Sequence, residues 1–168
     1  MEAVAKALRV TKPVIYACFG SREELVDALL EREEQKLVTG IMSALPGQLD
    51  FGDPARMFAD GFEALVRVVD AHPGSFELVF AAEPDPSVAK RYGQARQRVS
   101  ARVGELMALG LAHYGKTDIE RKLPFLVELF MSAGDAAVRT MMRREHGWTP
   151  RELGEFVGRV VQGALIGA

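Results

Sequence analysis

Apolar residues recur at intervals of three and four along almost the whole chain. No long alternating β-branched run interrupts them, so the pattern predicts an almost wholly helical protein. A short first helix is expected from about Glu2 to Leu8, with Val4, Ala5 and Leu8 as its buried stripe. A second short helix follows the break at Arg9-Val10, with Thr11 as its capping hydroxyl and Pro13 in its first turn, and ends at Gly20. Ile15 and Phe19, four apart, should face the first helix. Ser21, with Glu24 three residues on, forms a capping box for a third helix reaching about Met42. Leu25, Ala28 and Leu29 give that helix an apolar face, and its Glu31-Arg32-Glu33-Glu34 centre reads as solvated.

Leu45 to Asp53 is the clearest loop, and Asp53-Pro54 then starts a helix that ends at about Ala71 before His72-Pro73-Gly74. Ser75–Ala82 is a short apolar stretch that suits strand or helix, followed by a rigid acidic break at Glu83-Pro84-Asp85-Pro86. A long helix is expected from about Ser87 to His113, carrying Leu106 and Leu109 among its apolar positions and a local irregularity at Gly110. Tyr114–Thr117 is a turn. A further helix spans about Asp118 to Glu145, with a kink or restart at Pro124, and Thr149-Pro150-Arg151-Glu152 opens the last one. His72 and His146 read as helix-end residues. There is no internal repeat and no low-complexity tract.

Two short helices joined by a tight turn can present the second to a major groove. The residues facing the bases would be Lys12, Pro13, Val14 and Ala17, with Lys12 reaching a phosphate or a guanine edge and the methyls of Val14 and Ala17 meeting thymine. Thr11, Tyr16 and Arg22 are placed for phosphates, which position the protein without specifying sequence. Residues 1–22 hold Lys6, Arg9, Lys12 and Arg22 against the single acid Glu2, while the whole chain of 168 residues has a net charge of −2. A basic tip on a mildly acidic body suits a specific duplex binder and argues against a general coat on nucleic acid. Spacing of this kind also arises by chance in all-helical proteins, and Leu8, Ile15 and Phe19 are core residues under either reading.

The same stretch closely resembles the DNA-binding domain of the tetracycline-repressor (TetR) family, whose pattern is close to I-A-x-x-x-G-V-S/T-x-x-x-L/I-Y-x-x-F-x-S/N-K/R-E-x-L. Val4, Ala5, Val10, Thr11, Ile15, Tyr16, Phe19, Ser21, Arg22, Glu23 and Leu25 match it without a gap. Three positions depart from it. Arg9 stands at the usual turn glycine, Val14 replaces a frequent threonine, and Ala17-Cys18 replace an aromatic or histidine pair. These changes bear on which operator is read. The family also has a helix before this motif, and the expectation is that the chain as given omits that segment; a genuine start here would leave the head short of part of its core.

The resemblance implies an all-α protein with an N-terminal helix-turn-helix head, residues 1–36, on a larger helical effector-binding and dimerisation domain, residues 37–168. It implies DNA contacts from Thr11, Lys12, Pro13, Val14, Tyr16 and Arg22. It also implies a homodimer formed by the last two helices, on a palindromic operator, with a repressor as the default and a small-molecule effector held in the body. The interface would take Gly134, Ala137, Met141, Leu153, Phe156, Val157, Val160, Val161 and Ala164. Small residues such as Gly154 and Gly158 permit close helix approach there, or equally within one protomer. Phe58, Phe62, Leu65, Val103, Met107, Phe125 and Met131 can line an apolar cavity, with Tyr92, Arg96, His113 and Trp148 as polar contacts, although each apolar residue also suits ordinary core packing. Methionine and phenylalanine suit an adaptable, mostly apolar ligand.

Other chemistry is not indicated. No phosphate-cradling glycine loop, nucleophile elbow or metal-ligand spacing occurs, so neither catalysis, a cofactor nor a metal is expected. The single cysteine, Cys18, reads as a half-buried small residue. No segment has the length of a membrane span or the pattern of a signal peptide, and a soluble cytoplasmic protein is expected. The competing reading is a helical ligand-binding or scaffold dimer whose truncated head no longer reads DNA.

Overall fold

The computed structural model describes residues 1–80, 86–144 and 147–166, and these form helices joined by turns. In order they are α1 (Glu2–Leu8), α2 (Lys12–Cys18), α3 (Arg22–Ala44), α4 (Pro54–Ala71), α5 (Pro73–Phe80), α6 (Pro86–His113), α7 (Ile119–Arg143) and α8 (Pro150–Ile166). Within the short apolar stretch, residues 75–80 are therefore helical, in a helix that begins at Pro73. Ala81, Ala82, the expected acidic break at 83–85 and His146 lie outside the described residues.

The helix starts follow local chemistry. Ser21 Oγ accepts from the Glu24 amide at 3.0 Å, and the Glu24 carboxylate returns to the Gly20 amide at 2.7 Å, one residue outside the usual partner of a capping box. Asp53 Oδ1 accepts from the Arg56 amide at 3.0 Å. At α8 both halves of the box close: the Thr149 amide donates to Glu152 at 3.0 Å and the Glu152 amide to Thr149 Oγ1 at 3.3 Å. Thr11 occupies the cap of α2, but its hydroxyl makes no capping bond. Gly110 lies within α6, and α7 runs through Pro124, in its second turn, without a restart.

The body is organised around α4, which touches α3, α5, α7 and α8. One core cluster joins Phe62 of α4 to Val103 and Met107 of α6, Val127 and Met131 of α7, and Val161 of α8. A second joins Leu37 of α3, Val66 and Val69 of α4, Phe76 of α5, Val138 of α7 and Leu153 of α8. Three expected positions fall elsewhere. Leu8 is 64% exposed because no described element covers that side of α1, Leu109 points away from the core, and Cys18 is exposed.

The contact between α4 and α8 is the closest in the body, and it answers the question left by Gly154 and Gly158. A Cβ on Gly154 would lie 2.5 Å from Cα and N of Glu63, and one on Gly158 would lie 2.6 Å from the Ala59 amide nitrogen. These glycines bring two backbones of the same chain together. Gly158→Ala should therefore lower the unfolding free energy in urea by about 1–3 kcal/mol or more, the cost of overpacking against immovable backbone. Gly93→Ala, in α6 with no atom within 4 Å of the added carbon, should raise it by about 0.5–1 kcal/mol.

Candidate nucleic-acid interface and ligand cavity

The head consists of α1, α2 and the start of α3. Arg9 ends α1 in the left-handed region (φ 54°, ψ 38°), with its amide donating to the Lys6 carbonyl at 3.2 Å and the Val10 amide to the Ala5 carbonyl at 3.0 Å. This is a Schellman closure, usually made with glycine. An L-residue there costs about 1–2 kcal/mol, which the turn bears in exchange for a cation beside the second helix. Ile15 is buried and Phe19 partly so, which seats α2 on its neighbours. Thr11, Lys12, Pro13, Val14, Tyr16, Ala17 and Arg22 are all exposed, so the structure brings the seven expected contact residues together on the outside of the head. Lys12 is not free: its ammonium lies 2.9 Å from the Glu2 carboxylate, both side chains remaining exposed.

From this head α3 runs unbroken into the body, where Leu30, Glu34, Leu37 and Ile41 line a cavity of about 560 Å³. Its other walls come from α4, α6 and α7 and from the 45–53 loop. Phe58, Phe62, Leu65, Tyr92, Arg96, Val103, Met107 and Met131 line it as expected. Phe125 does not: it is 72% exposed, because it sits on the opposite side of α7 from Val127 and Met131. His113 and Trp148 are not in the wall either. His113 stacks on Phe51 with ring centres 3.8 Å apart, and Tyr114 holds the same loop through a 3.1 Å bond from its hydroxyl to the Phe51 carbonyl. Trp148 packs against Phe156 with ring centres 5.6 Å apart.

The acidic groups of the wall were not among the residues expected there. Asp135 lies four residues after Met131 and three before Val138, an acid within an apolar stripe, and Glu34 stands in the same relation to Leu30 and Leu37. That pattern was the available signal. Asp135 accepts from the Tyr92 hydroxyl at 3.3 Å and lies 3.6 Å from Arg96. Arg96 forks onto Glu128 at 2.9 and 3.2 Å. Burial, followed by the nearby Asp135 charge, pushes the Tyr92 phenol up. The hydrogen bonds to Glu128 push the Arg96 guanidinium up and hold the Glu128 carboxyl down.

Residues 1–29 match the family model described as bacterial regulatory proteins, tetR family. The head is thus similar to the DNA-binding part of that family. The fold agrees: a crystal structure of a TetR-like transcriptional regulator from Rhodococcus sp. RHA1 superposes with a TM-score of 0.75 over 99% of this chain and 84% of that one. At 17% identity that likeness speaks for the fold alone. No curated protein matches the chain in sequence. Among the described residues no helix is long and apolar enough to cross a membrane.

The residues expected at a TetR-type partner face separate into three groups. Ala137, Met141, Leu153 and Val161 are buried within the protomer, because α7 and α8 use those positions to pack on α3, α4 and α5. Gly134 and Val157 are partly buried, Gly134 beside Leu65 of α4. Phe156, Val160 and Ala164 point outward on α8, as do Phe125, Leu129 and Ala136 on α7.

Where the head joins the body, two neighbouring carboxylates hold different elements. Glu33 is buried rather than solvated: it accepts from the Ser75 hydroxyl of α5 and from Arg32 at 2.7 Å. Glu34 pairs with Arg98 of α6 at 2.9 Å. The Ser75 bond, then the Arg32 bonds, hold the Glu33 carboxyl below its ordinary value of 4.5. Its contacts thus stabilise the fold above that value and are lost as pH falls below it. Glu33→Gln should flatten the loss of thermal stability between about pH 5 and pH 3, with no gain from the substitution near neutrality. Melting curves at a series of pH values check this, and parallel wild-type and variant profiles would refute it.

Proposed function

We propose that this chain is a dimeric transcriptional regulator, by default a repressor, that reads a palindromic operator in the major groove and releases it when a small, mostly apolar effector enters the body. The observation that carries the reading is α3. One unbroken helix begins in a TetR-type head and ends as a wall of the cavity, so a ligand that prefers one placement of α3 must also prefer one placement of the head. In this reading residues 1–36 are the DNA-reading part and residues 37–168 the effector and dimer part, with the boundary inside α3. Thr11, Tyr16 and Arg22 meet phosphates, and Lys12, Pro13, Val14 and Ala17 face the bases. The partner lies against the outward ridges of α7 and α8, on Phe125, Leu129, Phe156, Val160 and Ala164, and the buried members of the expected interface set support these ridges from behind. Two heads related by a dyad then fall on successive major grooves, about 34–36 Å apart.

A second reading is a helical ligand-binding dimer with a head that does not grip DNA. The ion pair between Lys12 and Glu2 favours it, since it occupies the cation placed to face the bases.

The two readings part in a salt-titrated binding assay on the duplex upstream of the protein's own gene. The regulator reading expects tight, sequence-selective binding by a dimer. It also expects Lys12→Ala to weaken binding and lower the salt slope by about 1. Glu2→Gln, which releases Lys12 from its exposed ion pair, should tighten binding by roughly two- to fivefold. Equal, weak binding to scrambled DNA, unchanged in both variants, would leave the second reading.

A further inference from the structure

The chemistry of the cavity wall goes one step beyond an apolar effector. The cavity is long: its lining runs from Tyr92 to Leu111 on α6, roughly 28 Å of helix, and on to Tyr114 and Lys116. Most of that length is aliphatic or aromatic. Charge is confined to its ends, with Lys116 at the loop end and the group of Tyr92, Arg96, Asp135 and Glu34 at the end nearest α3 and α7.

Among the described side chains at the second end, Glu34, Glu128 and Asp135 share Arg96 and Arg98. Arg98 is taken by Glu34 at 2.9 Å. Arg96 gives its short fork to Glu128, which faces outward with its side chain 61% exposed. Asp135 is left with two long contacts, 3.3 Å from the Tyr92 hydroxyl and 3.6 Å from Arg96. A well-made bond between charged groups is about 2.7–2.9 Å. Asp135 therefore stands in an apolar wall with acceptor capacity that its neighbours do not fill, where a charge interacts more strongly than in water.

We propose that the effector is an elongated lipophilic cation, an aliphatic or aryl-alkyl amine, whose ammonium donates to Asp135 while its apolar body lies along α6 between Val99, Val103 and Met107. This rests on the effector reading above and assigns its ligand class. An ammonium entering this end finds a partner for the charge it must desolvate. A carboxylate entering it meets Asp135, with Arg96 already forked onto Glu128, so the same wall rejects fatty acids. The ammonium therefore lies toward Asp135 and the tail toward the loop.

The test is calorimetric binding of decylamine, decanol and decanoate to the full chain at neutral pH, each below its micellar concentration. Decylammonium should bind at least tenfold more tightly than decanol, and decanoate most weakly. Asp135→Asn should bring decylammonium down to the level of decanol and leave decanol unchanged. Arg96→Met keeps the aliphatic stem and removes the competing cation. It should tighten decylammonium several-fold without helping decanoate, and it decides the matter if Asp135→Asn fails to fold. Decanoate as the tightest ligand, or an ammonium preference that survives Asp135→Asn, overturns the proposal. Equal binding of all three overturns the cation and keeps the cavity as an effector site. Binding of none overturns both.

Discussion

The body of this protein depends on one close approach. Gly154 and Gly158 let the backbone of α8 settle against Glu63 and Ala59 of α4, nearer than any side chain would permit. The consequence spreads through α4. With α8 drawn tight on one side, α4 offers Phe62 to the α6–α7 cluster, while Val66 and Val69 go to the α3–α5–α7 cluster. The two clusters share helices, so a change at the α4–α8 seam is felt by both. The seam also decides which sides of α7 and α8 remain outside.

A cavity persists beside this well-packed seam because its walls are held from behind. Phe62 leans on Phe130, with ring centres 5.0 Å apart, and Phe76 is fully buried in the second cluster while still reaching the cavity. The loop end is bordered by aromatic contacts, Phe51 against His113 and Tyr114. The other end is bordered by polar groups on α6 and α7. A space lined by large, mostly apolar side chains and bordered by two different chemistries suits a molecule with a polar head and an apolar tail.

In the proposed regulator, the link between that space and the head is mechanical and electrostatic together. α3 is a single helix of 23 residues, so it transmits rotation and displacement without a hinge. Adjacent residues Glu33 and Glu34 fasten it to α5 and α6 respectively, and Glu34 also borders the cavity. In the proposed switch, a ligand that shifts α6 either carries α3, and with it the head, or breaks the Glu34–Arg98 pair. Two discrete arrangements of one element, biased by a ligand, are the physical content of such a switch.

Much of this was readable from residue order. Helix starts are local: Ser21 with Glu24, Asp53 with Pro54, and Thr149 with Glu152 act within four residues, so their chemistry announced α3, α4 and α8. The helix-turn-helix head was legible for the same reason, since its two short helices and their turn lie within residues 2–18. The apolar cavity lining was largely legible too, because helical periodicity selects the inward side. Long-range pairing was not. Whether Gly154 and Gly158 meet a partner chain or α4, whether Glu33 faces water or Ser75, and whether Phe125 turns inward or outward are questions about which helix lies alongside, and residue spacing is the same in either case. Arg9 at a glycine position shows the reverse: the local preference was known, and the turn formed regardless, because α1 and α2 must both place apolar residues on the same side.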